Sequence, residues 1–373
     1  MINEDRLINE FLKMVAIDSP SRDEAPFAAY LSSILSELGA EYFQDKAMER
    51  TGGNCGNIFA RIRGNSPGAS TILLCSHMDT VSPGRGIRPV VNDGIISSSG
   101  NTILGADDKS GVAIIIEVMR TLKEKGLPHG DIEVLFTVCE EVGLLGAKFF
   151  DVSHIKADFG YALDSRNSCS LIYAAPASNH LKFTIHGIES HAGLAPEKGL
   201  NAIKVAGHAL ALMPLGRIDE ETTANIGLIS GGSAVNIVAG TVIMEGEARS
   251  HNMEKLKKQT SAMVDSVKGA VSNLSGGDLQ AHMDVEISLE YPLMKLADQC
   301  RSIASARRAA LSMGFELDMR IGGGGSDANI LNDKGIETAI IGTGMENVHT
   351  TEEFIKTRDL TRAALFTLNI LTS

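Results

Sequence analysis

TILLC at residues 71–75 runs straight into SHMDTV at 76–81, and the fold turns on this stretch. A short apolar run without polar alternation is a strand buried on both faces, the kind found in parallel sheets covered by helices. IEVLFTV (132–138), FGYAL (159–163) and TAIIG (338–342) repeat the pattern, and a longer helical run, GVAIIIEVMRTLKEKG (111–126), lies among them. Upstream, Ser21 and Glu24 have capping-box spacing ahead of Phe27, Leu31, Ile34, Leu35 and Leu38 at helical intervals, with Gly39 as the stop. The expected fold class is α/β, a mostly parallel or mixed sheet covered by helices.

Between Ser178 and Ile287 the pattern changes. HLKFTIHG, helical NAIKVAGHALALM, TANIGLIS, TVIMEGEAR, helical EKLKKQTSAMVDSVKGAVSNL and DVEISLE follow one another as β-α-β-β-α-β, the ferredoxin-like order. The expected organisation is one larger domain, 1–177 and 288–373, with this smaller unit, 178–287, inserted.

A chain of 373 residues with 43 % hydrophobic and 21 % charged residues has material for two cores, not for disorder. Its net charge of −12 argues against nucleic acid or an anionic membrane as partner. MINEDRLINEFLKM at the start is neither signal peptide nor membrane span. The five cysteines are odd in number and irregularly spaced, as expected of reduced thiols in a cytoplasm.

His77, Asp107, Glu141, Asp164 and His349 each fall just past a strand-like run or in the loop behind one. Loops at the carboxyl ends of parallel strands form one edge of a sheet, so residues this far apart in sequence can share one site. Singly, each has an ordinary alternative: a structural histidine, acids at a helix start, a solvated acidic loop. Together, two imidazoles and three carboxylates suit Zn²⁺, with Co²⁺ or Mn²⁺ as the alternatives. Two divalent ions would balance Asp107, Glu141, Asp164 and a bridging hydroxide, whereas one would leave excess negative charge. Asp79, two residues beyond His77, shares its side of the strand and can accept from its imidazole. Glu140 is then left over beside the ligands, where it can take a proton from a metal-bound water. The glycine run GGGGSDAN (322–329) lacks the Lys-Ser/Thr of a phosphate loop and is expected to line a cleft, with Gly324, Ser326 and Asp327 facing substrate.

HMDTV (77–81), GADDKSG (105–111), EEVGLLGA (140–147), ALDS (162–165), SHAG (190–193), GGGGSDAN and VHTTEEF (348–354) occur in one order along nearly the whole chain. This set resembles the dinuclear zinc peptidases that include peptidase T, carboxypeptidase G and the aminoacylases, and the peptidase T branch most. The resemblance implies that Asp107 bridges two metals, with His77 and Asp164 on one and Glu141 and His349 on the other. It implies a cis peptide between Asp107 and Asp108, Asp79 as the residue that orients His77, and Glu140 as general base and acid. His191 would stabilise an oxyanion, in its own or a partner's site, and Asn236 and Arg249 would hold substrate, the guanidinium being suited to a carboxylate.

The implied function is a cytoplasmic dizinc exopeptidase that removes the N-terminal residue from short peptides, tripeptides in particular, by attack of the bridging hydroxide. A homodimer through the inserted lid domain is implied as well. A carboxypeptidase, dipeptidase or N-acyl amino acid deacylase of the same family would use the same residues and remains the alternative. A metal-binding protein on an inactivated scaffold would lack a ligand or the base, and none is lacking.

Overall fold

In the computed structural model residues 2–372 are described; Met1 and Ser373, which fall within the expected larger domain, lie outside them. Two compact units emerge, Met1–Ala175 with Met294–Ser373, and Pro176–Leu293.

The first unit opens with α1 (Glu4–Val15), capped by the Asn3 side chain, and α2 (Ala25–Leu38), which buries Phe27, Leu31, Ile34 and Leu35 and stops at Gly39 with φ 74°. Glycine takes that left-handed conformation without a Cβ penalty. The start of α2 departs from the expected capping box. Glu24 is itself the N-cap residue, in helical conformation, with no side-chain cap bond. Ser21 Oγ instead donates to Asp79 Oδ2 (2.7 Å), and Glu24 Oε1 accepts from the Arg22 and Cys139 N–H groups, both 3.0 Å. A cap is worth about 1 kcal/mol; hydrogen bonds to buried charged groups are worth more.

There follow β1 (Glu41–Gln44), α3 (Met48–Thr51), β2 (Ile58–Ile62), β3 (Ile72–His77), β4 (Pro89–Asn92) and β5 (Ile95–Ser98). Next come α4 (Ala106–Lys125), β6 (Ile132–Thr137), α5 (Leu145–Phe149), β7 (Phe159–Ala162) and β8 (Ser170–Ala175). The second unit comprises β9 (Ala177–His186), α6 (Ala202–Leu212), β10 (Gly216–Arg217), β11 (Thr222–Gly231), β12 (Thr241–Ser250), α7 (Met253–Leu274) and β13 (His282–Tyr291). The first unit resumes with β14 (Met294–Lys295), α8 (Arg301–Ser312), β15 (Asp318–Ile321), α9 (Asp327–Asp333), β16 (Thr338–Ile341), β17 (Met345–Glu346), β18 (Phe354–Lys356) and α10 (Thr357–Thr372).

The main sheet runs β1-β2-β6-β3-β7-β16-β8-β14, with β15 alongside β8. β3 is parallel to β6 and β7, and β16 to β7, while β1, β2 and β14 pair antiparallel. Every residue of β3, β6, β7 and β16 is buried, which is why their sequences read as mostly apolar runs, broken within β6 by Glu133, which pairs with Arg61. Alternate residues of β3 serve opposite layers. Ile72 and Leu74 join the large cluster with Leu7, Phe11, Ile114 and Phe366; Leu73 and Cys75 join a smaller one with Phe150, Ala328 and Leu331. The parallel centre therefore carries its loops to one edge. A second, small sheet, β17-β18-β5-β4, lies in the same unit.

The other unit is a βαββαβ sheet in the order β10-β11-β12-β9-β13, antiparallel throughout. Leu181, Phe183 and Ile185 of β9 pack with Val205, Ala209, Leu256, Met263 and Val267 of α6 and α7. β13 stays paired with β9 through Tyr291, opposite Ser178, which carries this unit past Ile287 to Leu293. Among the described residues no helix is long and apolar enough to cross a membrane, and all five cysteines are free thiols.

Leu74 is fully buried at the middle of the strand that ends in His77. Leu74→Ala is expected to cost about 2–5 kcal/mol, read as a lower urea midpoint with an unchanged slope.

Candidate metal centre

His77 is the last residue of β3, and its position is set by two neighbours. Its Nδ1 lies 2.9 Å from the backbone oxygen of Asp79 and 3.4 Å from Asp79 Oδ1, while Nε2 lies 3.1 Å from Asp107 Oδ1. The expected orienting residue is thus in place, but the closer partner is its carbonyl. The Asp79 carboxylate also accepts the N–H groups of Glu140 (2.9 Å) and Glu141 (3.2 Å) and so holds the turn after β6. Asp107 stands at the head of α4 in non-helical conformation, joined to Asp108 by a cis peptide. Asp164 lies two residues past β7. His349 comes from the loop between β17 and β18, with Nε2 2.9 Å from Glu141 Oε1 and 3.2 Å from Asp107 Oδ2.

These side chains form two donor groups that share one residue. His77, Asp107 and Asp164 make one, and Asp107, Glu141 and His349 the other, with the donor atoms of each within 4.8 Å of one another. A third grouping, His77 with Glu140 and Glu141, places the extra glutamate against the same cluster.

The electrostatics match that crowding. Burial raises the carboxyls of Glu140, Asp164 and Glu141 above the usual carboxylate range, and neighbouring acids push the same way. At Asp107 burial is outweighed by His349 and His77, which hold it below that range. His349 is pushed up to about 10 by Asp107 and Glu141. Burial works against charge on His77, yet Asp107 and Asp79 raise it too. The cluster draws protons because it is short of positive charge. Imidazole and carboxylate donors in such surroundings fit divalent cations of the Zn²⁺ type.

Several further buried groups support this cluster; the sequence pointed to Asp327 only as a substrate contact and to Asp108 only as the partner of Asp107 in a cis peptide. Glu353 is 1 % exposed and accepts the N–H groups of Leu104 and Gly105, each at 2.7 Å, and of Asp107 at 3.0 Å. Burial nevertheless pushes its carboxyl up to about 7. Asp108 accepts from Ser76 Oγ (2.5 Å) and the Gly111 N–H (3.2 Å). Lys109 Nζ donates to the Ile17 carbonyl (2.6 Å) beneath the Phe27 ring. Asp327 accepts from Thr137 Oγ1 (2.5 Å) while its Oδ1 has no partner among the described residues. Only the adjacency of these acids to the sequence motifs pointed to such support; each acts on backbone N–H or hydroxyl groups whose positions depend on the folded path.

A cavity of about 560 Å³ opens over the cluster, lined by Asp107, Glu140, Glu141, Asp164 and His349 and by the Gly322–Ser326 segment. Gly324 and Ser326 are both on its wall, although Ser326 Oγ also caps α9 by accepting from the Ala328 N–H. The remaining candidates belong to the second unit. His191 and Asn236 lie side by side, Ala192 N–H donating to the Asn236 carbonyl (2.9 Å). His191 Nδ1 accepts from the Gly193 and Leu194 N–H groups (3.1 and 3.2 Å), so the ring proton sits on the other nitrogen. Arg249 is apart from them. It pairs with Ser178 at one end of β9, whereas Thr241, near Asn236, pairs with His186 at the other. Its Nη2 donates to Glu247 (2.9 Å).

A profile of the peptidase family M20/M25/M40 matches residues 73–373. Among solved structures, aminopeptidase PepT from Bacillus cereus is 43 % identical at a TM-score of 0.88, covering 100 % of this chain and 98 % of that one. A tripeptidase from Staphylococcus aureus is 39 % identical at a TM-score of 0.93, again covering 100 % and 98 %. Peptidase T of Clostridium novyi is 26 % identical, with 98 % of each chain covered.

Glu353 holds three N–H groups around Asp107, so Glu353→Ala is expected to weaken zinc binding about 10- to 100-fold, the usual effect of losing an outer partner of a ligand. Competition with a chelating dye measures it, and Glu353→Gln, which keeps an acceptor, should lose less.

Proposed function

The chain belongs to peptidase family M20/M25/M40, and we propose that within it this metallopeptidase is a two-metal aminopeptidase that releases the N-terminal residue of short peptides, tripeptides in particular. The observation that carries the proposal is Asp107, shared between the His77/Asp164 and Glu141/His349 donor groups, with Glu140 buried beside them and outside both. The names of the Bacillus cereus and Staphylococcus aureus relatives, an aminopeptidase and a tripeptidase, support the choice of substrate. In this reading His77 and Asp164 would hold one Zn²⁺ and Glu141 and His349 the other, with Asp107 available to both; Co²⁺ or Mn²⁺ would suit the same donors. When bound, such ions polarise a carbonyl and ease ionisation of water.

The chain's own groups do the rest. The carboxyl of Glu140, which burial and then Asp164, Asp327 and Glu141 raise above the usual carboxylate range, takes a proton from the attacking water and delivers it to the leaving amine. Asp79 keeps that carboxyl in place through the Glu140 N–H, and through its own carbonyl it keeps Nδ1 of His77 turned away from Asp107. His191 presents a ring N–H donor at the surface of its unit, suited to an oxyanion. We also assign Asn236 and Arg249, at opposite ends of β12 in the second unit, and Gly324 and Ser326 in the first unit, to substrate binding. We place the enzyme in the cytoplasm as a homodimer through the second unit, so that His191 serves its own or its partner's site.

Glu140→Ala should lower kcat by about 10²- to 10⁴-fold while metal content, measured by atomic emission, stays at the wild-type level; a variant of near-full activity that retains its metal contradicts the assignment. Wild-type enzyme stripped by a chelator should lose activity and regain it with zinc.

Substrate class is tested by comparing a tripeptide with its N-acetylated form. An aminopeptidase loses at least about 10-fold in kcat/KM on acetylation, the scale of one lost charged hydrogen bond. Indifference to acetylation, or a preference for it, would move the enzyme to the carboxypeptidase or deacylase alternative.

A further inference from the structure

We infer that a free carboxylate of the substrate is read within the first unit, by Arg166 and Arg320 on the wall of the metal cleft; this rests on the peptidase assignment and adds the charge of the substrate to it. Both arginines line the 560 Å³ cavity that the four acids open into. Among the described residues neither forms an ion pair with Asp107, Glu140, Glu141 or Asp164; the only ion pair of Arg320 is with Asp318. Once divalent ions account for the acids, the two guanidinium groups are positive charge for which the protein supplies little counter-charge. A ligand carboxylate is suited to supply it.

The two groups are mounted in a way that suits recognition. Arg166 makes no hydrogen bond or ion pair among the described residues, yet the backbone beneath it is tightly held. Thr343 N–H donates to the Ser165 carbonyl (2.8 Å), and the N–H and hydroxyl of Ser170 both donate to the Asn167 carbonyl (3.1 and 2.8 Å). A Cβ at Gly342 would fall 1.9 Å from the Arg166 carbonyl oxygen, so only glycine lets this loop lie against the end of β16. Arg320 stands on β15, opposite Ile172 of β8, and Asp318 holds its Nε at 2.6 Å. That single contact orients the guanidinium and leaves both Nη groups without a partner among the described residues. A fixed base with an uncommitted planar fork is the arrangement that binds carboxylate at low entropic cost. Ile172, Ile321 and Val348 line the same cavity and favour an organic carboxylate over an inorganic anion. Arg249, the residue expected to grip a carboxylate, already donates to Glu247 and lies over the Tyr291 ring.

The carboxylate has two sources in a short peptide, the C-terminus and an acidic side chain, and one experiment separates them. Zinc-loaded wild type, Arg166→Gln, Arg320→Gln, the double variant and Arg249→Gln are assayed with trialanine, trialanine amide and the amide of alanyl-alanyl-glutamate. In parallel, binding of the same three peptides to zinc-loaded Glu140→Ala, with and without the arginine substitutions, is measured by calorimetry. The wild-type acid-to-amide ratio in kcat/KM is expected to be about 10 to 100, the scale of charge-assisted hydrogen bonds. It should fall toward one in the double variant, chiefly through KM, with the same collapse in the binding ratio. If the glutamate amide matches trialanine, the side chain can provide the carboxylate; if it behaves like trialanine amide, the C-terminus is the one read, and either result supports the inference. A ratio that survives the double variant, or that collapses only in Arg249→Gln, overturns it, as does wild type that hydrolyses acid and amide alike. Absence of any hydrolysis with the calorimetric ratio intact would refute the peptidase assignment and leave the carboxylate site standing.

Discussion

Four carboxylates, those of Asp107, Glu140, Glu141 and Asp164, converge at the carboxyl edge of one sheet, and like charges at that range repel unless something positive lies among them. The rest of the first unit is arranged around that constraint. A second set of acids, Asp79, Glu353, Asp108 and Glu24, encloses the first, but these accept backbone N–H or hydroxyl groups instead of facing the centre. Three of them anchor a segment that presents an inner acid: Asp79 the Glu140–Glu141 turn, Glu353 the segment before Asp107, Glu24 the residue before Glu140. Outer carboxylates hold the inner ones still through the main chain, while adding to the negative charge that cations must neutralise. Preorganisation and ion demand therefore have one cause.

The inner set was legible in the sequence because strand ends are. β3, β6, β7 and β16 are buried on both faces, which favours apolar runs, and the hydrophilic residues that follow such a run emerge at the sheet edge. Of the outer set only Asp79 was legible, from its place two residues beyond His77. Ser21 and Glu24 have the spacing of a capping box, and nothing local distinguishes that from what they do, since the Asp79 carboxylate and the Cys139 N–H are brought to them only by the folded chain. The shortest strands were hidden for a similar reason. β14, β17 and β18 are two or three residues long, too short for periodicity, and exist because neighbours offer them hydrogen bonds.

In the second unit the order of elements was legible because each step is local, a hairpin or a crossover of ordinary length. Positions along a strand were less so. Arg249 and Asn236 are close in sequence, but β12 runs for ten residues between their surroundings, and at about 3.3 Å per residue its ends are far apart. His191 and Asn236 meet because the chain leaves β9 and enters β12 at the same end, a consequence of antiparallel pairing between those strands.

Charge in the cleft of the first unit is segregated, not mixed. Acids that call for cations and arginines with little internal counter-charge share one cavity wall. A short peptide carries its own charges at its two ends, so one molecule can meet a cationic recognition group with its carboxylate while its amide bond lies among the metal donors. A long chain would bring neutral amides to the same guanidinium groups and leave them unpaired in a partly apolar cavity, a cost that grows as water is excluded. Selection for short substrates can in this way arise from where charge is left unbalanced, without any wall that blocks the far end of the cleft.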